Sequence, residues 1–172
     1  LSFMVPAGIG GASCVLVGNA IGAGDPGRAR RMALAALIVG EGYMLMTALM
    51  FSTMPGPLAH LYSNAPSVVA IATTLLPIAG VFQVFDGAQV VSSGTLRGAG
   101  DTLVPMWANV FGYGVLGLPV SLWLGFHQHQ GIVGLWWGFV VGLGAVGILL
   151  VTRSFRLLGG PLDRVRVGTS HH

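Results

Sequence analysis

Two acids stand inside long apolar runs. Glu41 lies in the run from Met32 to Met54, and Asp86 in the run from Pro66 to Leu96. A charged side chain at the centre of a bilayer costs about 2.5–3.5 kcal/mol on insertion scales, so such a residue usually turns inward and marks function. Asp86 has polar company. At 100° per residue, Gln83, Gln89 and Ser93 fall within about 60° of it and make one polar stripe on a helix. Val81, Val84, Ala88 and Val91 fall on the other side, suited to lipid or to packed helices. Desolvation disfavours the charged form of a carboxyl, so Asp86 can carry a proton. The same carboxylate, with amide and hydroxyl oxygens around it, can coordinate a hard cation such as Na⁺. The structural alternative is an aspartate that fixes helix packing through hydrogen bonds. Glu41, flanked by Gly40 and Gly42, has fewer polar neighbours. It is either a second proton or cation site or a link to a neighbouring helix. Asn109 is a further candidate to line the same interior. His127 and His129 in "HQHQ" have a metal-binding spacing but no third ligand, so no metal site is expected.

The elements that position these residues are membrane helices. The chain is 53% hydrophobic and only 8% charged, with a mean hydropathy of +0.80. Soluble domains carry about a quarter charged residues; 13 charges cannot cover an ordinary soluble surface. The fold class is therefore all-α, a polytopic helical bundle in the membrane. Runs of roughly 20 apolar residues place five spans at about 1–21, 32–54, 66–96, 103–126 and 132–152. Residues 1–158 form this transmembrane unit and 159–172 a polar tail. Pro77 is the expected kink of the long third span. Trp107, Trp123, Trp136 and Trp137 are candidates for interface anchors, Trp123 the best of them, or for the wall of a cavity for flat aromatic cations. One cysteine, Cys14, excludes an internal disulfide. The chain begins inside an apolar run, which suggests the C-terminal part of a longer protein.

All eight basic residues are arginine. Arg28, Arg30 and Arg31 fall between the first two spans, Arg97 between the third and fourth, and Arg153, Arg156, Arg164 and Arg166 after the fifth. An up-down bundle puts these segments on one side. The opposite loops, "PGPLAHLYSNA" and "HQHQG", carry none. The positive-inside rule makes the arginine face and the C-terminus cytoplasmic.

Two of the arginine loops look alike. "VGNAIGAGDPGRAR" places Gly22, Gly24 and Asp25 just after a span; "GTLRGAGDT" places Arg97, Gly98, Gly100 and Asp101 likewise. Glycine permits a sharp helix end at positive φ, and the aspartates can cap the next helix. No G-x-x-x-x-G-K-[ST] loop is present, so an ATP site is not expected.

These loops, with "FQVFDGAQVVSSGTLRGAGDT", resemble the corresponding segments of the multidrug and toxic compound extrusion (MATE) family. The resemblance implies a twelve-helix transporter in two lobes, of which this chain is similar to helices eight to twelve. The N-terminal lobe and helix seven are then its missing partners. It further implies that Asp86 is the tenth-helix acid used in cation coupling, with Gln83 and Gln89 as its polar surroundings. The implied activity is exchange of inward Na⁺ or H⁺ for outward amphipathic drugs, without an enzymatic step or another cofactor, in a bacterial inner membrane. Substrate and lipid are the expected partners, and nucleic acid is not. Glu41 has no counterpart in the resemblance. A flippase for lipid-linked oligosaccharide is the rival, though it calls for a more basic cavity. An inactive fragment is another, since five helices alone leave a lobe interface uncovered. An intramembrane enzyme is disfavoured by the lack of H-E-x-x-H and G-x-S-x-G.

Overall fold

The computed structural model describes residues 2–128 and 131–159. Six helices follow one another: α1 (Met4–Gly22), α2 (Pro26–Thr53), the short α3 (Pro55–His60), α4 (Pro66–Gly98), α5 (Leu103–His127) and α6 (Gly131–Gly159). All but α3 are long and apolar enough to cross a membrane. Large apolar side chains stand on the outside, among them Leu45, Leu49, Leu122 and Ile148. Water would penalise such a surface, and lipid does not.

Helix α4 is the post around which the bundle is built. It packs extensively against α1, α2 and α6, while α5 leans chiefly on α6. Lipid tails are as apolar as leucine, so close van der Waals fit rather than hydrophobic burial must hold such helices together. Small residues provide that fit. A Cβ on Gly94 would fall on the backbone of Gly10, and one on Gly98 on the backbone of Cys14. The G-x-x-x-G of α4 thus meets a matching row, Gly10, Cys14 and Gly18, on α1. Gly80 lies against the backbone of Ala48 on α2, and Gly138 and Gly142 of α6 lie against Ser121 and Gly117 of α5. Ser121 also donates to the Leu135 carbonyl.

The two G-A-G-D loops are the same device built twice. Gly24 and Gly100 have φ of 72° and 82°. The Gly24 amide bonds the Ile21 carbonyl and the Asp25 amide that of Ala20; Gly100 and Asp101 bond Arg97 and Leu96 in the same way. This pair of bonds is the Schellman ending. Each aspartate then starts the next helix: Asp25 accepts from the Arg28 amide at 2.8 Å and Asp101 from that of Val104 at 3.3 Å. Gly22 and Gly98 are the last residues of α1 and α4.

Among the described residues only Asp101 gains a third contact, an ion pair with Arg153 of α6 at 3.0 Å. Arg153 is 41% exposed, so Arg153→Ala should lower stability by less than about 1 kcal/mol. Asp101→Ala removes the cap as well and should cost about 1–2 kcal/mol. Thermal unfolding in detergent micelles checks the order of the two.

Several expectations change. Arg28, Arg30 and Arg31 lie in the first turns of α2, and Arg153 and Arg156 in the last turns of α6, rather than between or after helices. The helices simply continue past their apolar parts. The loop "PGPLAHLYSNA" contains α3, whose prolines sit in the first turn, where a missing N–H does no harm. Helix α5 is not regular: Val110–Gly117 and Trp123–His127 are wound as π-helix. Val91, on a side suited to lipid or to packed helices, takes the second course and is fully buried beneath Gly40 of α2. The tail from 160 onward, with Arg164, Arg166 and the final histidines, and also His129, lie outside the described residues.

Candidate functional site

Asp86 sits near the middle of α4, three residues from Gln83 on one side and three from Gln89 on the other. The stripe is real as a pattern but does not act as one unit. Gln83 turns to α2, where its Oε1 accepts from Thr47 Oγ1 at 3.3 Å. Gln89 turns to α5, donating from Nε2 to Asn109 Oδ1 at 2.8 Å. The two amides clasp neighbouring helices, and Asp86 lies midway between them along α4. No described residue hydrogen-bonds its half-buried carboxyl. A carboxyl held this way is free to take a proton or an ion as its partner.

Glu41 approaches from α2. Its Oε1 is buried without a partner and lies where a Cβ of Gly87 would meet it at 2.8 Å. Gly87 thus forms a notch for Glu41 and Met44, beside Asp86 in sequence. Glu41 and Asp86 are close enough for their charges to interact.

Ser93 lies two turns along from Asp86. Its hydroxyl is buried and unpartnered, as is Nε2 of Gln83. Ser93, Gln89, Asn109, Thr102 and Arg97 line a cavity of about 430 Å³ bounded by α1, α4 and α5. It is polar and roomy enough for water to satisfy the serine. Arg97 is the one basic group there, and its Nε donates to the Ser93 carbonyl at 3.3 Å.

A second cavity, of about 500 Å³, opens at the other end of the stripe. Its wall is aromatic: Phe82 on α4, Tyr113 on α5, and Trp136 and Phe139 on α6. Phe82 and Trp136 meet edge to face, with centroids 6.0 Å apart. Phe82 is one helical turn from Asp86, so acid and aromatic wall share a face of α4. Tyr113 and Phe82 went unnoticed in the sequence. Their signal was spacing: Phe82 is four residues before Asp86, and Tyr113 four after Asn109. Trp136 faces this cavity, whereas Trp123 stacks on His127 at the end of α5 and is about half exposed. Among the described residues no three His, Cys, Asp or Glu side chains gather as a metal site would require.

The family profile of MatE matches residues 1–123. The chain belongs to the MatE family. It is 45% identical over 159 residues to the multidrug resistance protein NorM of Burkholderia vietnamiensis, an alignment covering 89% of the chain and 34% of that protein. It is 39% identical over 163 residues to the probable multidrug resistance protein NorM of Brucella suis biovar 1, covering 92% and 35%. The MatE chain thus spans about a third of the length of these relatives. Its fold matches that of the eukaryotic MATE transporter AtDTX14 with a TM-score of 0.85, at 24% identity over 95% of the chain and 36% of that structure. The inward-facing structure of a multidrug resistance MATE family transporter matches with a TM-score of 0.81, at 18% identity. At these identities the likeness is one of fold: the MatE chain is a five-span helical membrane bundle.

Proposed function

We propose that this MatE chain is the C-terminal portion of a cation-coupled antiporter that exports amphipathic aromatic drugs. The observation that carries it is the position of Asp86: inside a spanning helix, with no hydrogen-bond donor to it among the described residues, one turn from Phe82 of an aromatic cavity. Asp86 takes the coupling ion, Na⁺ or H⁺, with Gln83, Gln89, Ser93 and Asn109 shaping the polar wall. The aromatic cavity takes the drug, which aromatic faces attract if it is a cation. The arginine ends face the cytoplasm of a bacterial inner membrane, and the N-terminal lobe together with helix seven completes the transporter. The names of the relatives support drug export. The single arginine at the polar cavity gives no support to a carrier of pyrophosphate-linked lipid.

The test exchanges this chain for the matching third of the Burkholderia vietnamiensis relative and measures export of an aromatic cation from proteoliposomes. Export should require an imposed Na⁺ or proton gradient. Export that persists at full rate without either gradient overturns the proposal.

A further inference from the structure

Helices α2 and α4 run antiparallel, and their contacts follow one another in register. Gly80 lies on the Ala48 backbone, Gln83 bonds Thr47, the Gly87 notch takes Met44 and Glu41, and Val91 lies beneath Gly40. The interface is close-packed: Met44 is fully buried, and Thr47 and Gln83 are each 7% exposed. Two of its polar atoms have no partner, Oε1 of Glu41 and Nε2 of Gln83. A buried polar atom left this way carries its desolvation penalty in full, so the two call for a partner.

Thr47 decides which amide atom of Gln83 is the unpartnered one. Its Oγ1 lies 2.9 Å from the Met44 carbonyl and 3.3 Å from Oε1 of Gln83. A hydroxyl has one hydrogen and two lone pairs. With Oε1 toward Thr47, that one hydrogen would have to serve two acceptors. With the amide turned end for end, Nε2 donates to Thr47 Oγ1, and the hydroxyl keeps its bond to the nearer carbonyl. Gln83 Oε1 is then the atom without a partner. Gln83 and Gly87 stand one turn apart on the same face of α4, where Cβ positions are about 5–6 Å apart. Glu41 Oε1 reaches this face from α2, 2.8 Å from the Cβ position of Gly87. Two unpartnered oxygens thus share one face of one buried interface. Oxygens satisfy each other only through a hydrogen or a cation between them. Hard cations such as Ca²⁺ and Mg²⁺ take about six or more oxygens, and Met44 fills the same notch. A hydrogen needs two.

We propose that Glu41 and Gln83 form a proton-binding site between α2 and α4, separate from the carboxyl of Asp86. Glu41 takes a proton from water and donates the new O–H to Gln83 Oε1. No other bond changes, and release returns the proton to water. The protonated acid ties α2 to α4; without the proton two oxygens, one of them charged, have no hydrogen between them, and α2 must draw away. Helix α2 packs on α1, α3, α4 and α6. Among the described residues α4 presents Asp86, next to Gly87, and Arg97 in its last turn. Helix α1 presents only Cys14, α3 only His60, and α6 only Arg153 and Arg156 near its end. On α2 itself Tyr43 is two positions from Glu41, and Arg28, Arg30 and Arg31 lie in the first turns.

This site does not rest on the coupling role of Asp86, so the experiment uses the Asp86→Asn chain, whose spanning helices retain Glu41 as their one acid. The readout is the infrared C=O band of a protonated carboxyl, in lipid nanodiscs, as the pH is brought from alkaline to neutral. The band should grow in. Glu41→Gln should remove it and leave the helical circular dichroism unchanged, because glutamine offers Gln83 Oε1 an N–H of the same reach. Gln83→Met should keep the band but shift its frequency, because the O–H loses its acceptor. Absence of the band at neutral pH overturns the inference. So does a band that survives Glu41→Gln, or one whose frequency Gln83→Met leaves unchanged. A band that Na⁺ removes at constant pH would put a metal ion between the two helices, and it too overturns the proton site. The ion dependence of export in the Asp86→Asn transporter decides the coupling role separately, since no infrared outcome depends on it.

Discussion

Asp86→Asn should abolish ion-driven export while leaving the bundle folded. Asparagine has the shape of aspartate and keeps a carbonyl oxygen, but it neither ionises nor gains a proton. The contacts that hold α4 in place at this level do not involve Asp86: Gln83 bonds Thr47 and Gln89 bonds Asn109. Moving one charge across 100 mV supplies about 2.3 kcal/mol, which for an uncharged exported compound corresponds to roughly a fiftyfold concentration ratio. A transporter that cannot bind the ion loses that whole factor. In the exchanged Burkholderia protein, the variant should reach the membrane at the unmodified level and accumulate no drug against its gradient. Accumulation with the unmodified ion dependence would refute the coupling role. The corresponding change Glu41→Gln is expected to be milder. It removes a charge beside Asp86 but leaves the Gly87 notch filled.

Gly94→Ala should be the most damaging single methyl in the chain. A Cβ at Gly94 has no side chain to displace, because the backbone of Gly10 occupies its place. One of the two helices must move, and α4 also carries the contacts to α2 and α6. Overpacking of a tight interface costs about 1–3 kcal/mol and sometimes more. Here the upper end is expected, because a backbone cannot change rotamer. Gly11→Ala, one residue along on the partner helix, provides the control: nothing lies within 4 Å of its Cβ position. There the substitution should be neutral or stabilising by up to about 1 kcal/mol, through the better helix propensity of alanine. The fraction folded in a denaturing-detergent titration, followed by circular dichroism, measures both. Equal loss in the two variants would show that the α1–α4 contact is looser than described.

Membrane insertion was legible in the residues alone, and so was the number of spanning helices. The bilayer is a uniform apolar solvent, and a helix must satisfy its backbone within itself. Apolar length therefore reports a span whatever its neighbours are. The G-A-G-D loops were legible for a related reason. Both the Schellman ending and the aspartate cap are made from residues within a few positions of one another. Asp86 stood out because its cost in lipid is independent of packing. The unforeseen extent of α2 and α6 at the arginine end has a similar explanation: hydropathy marks where lipid ends, and a helix can continue into water.

What only the tertiary structure decided concerns directions between helices. The stripe of Gln83, Asp86 and Gln89 pointed to a water-filled cavity or a buried hydrogen-bond network, and its two amides bond to different helices, α2 and α5. A helical wheel gives the face of a residue but not which helix stands opposite. The role of the glycines is of the same kind. Composition shows that they are many, whereas the pairing of Gly94 with Gly10 depends on the register of two helices more than 80 positions apart. Tyr113 was hidden for a third reason. It joins Phe82, Trp136 and Phe139 in one cavity wall, and those residues come from three different helices. Local chemistry determined that an acid would lie in the membrane; long-range packing decided which side chains would face it.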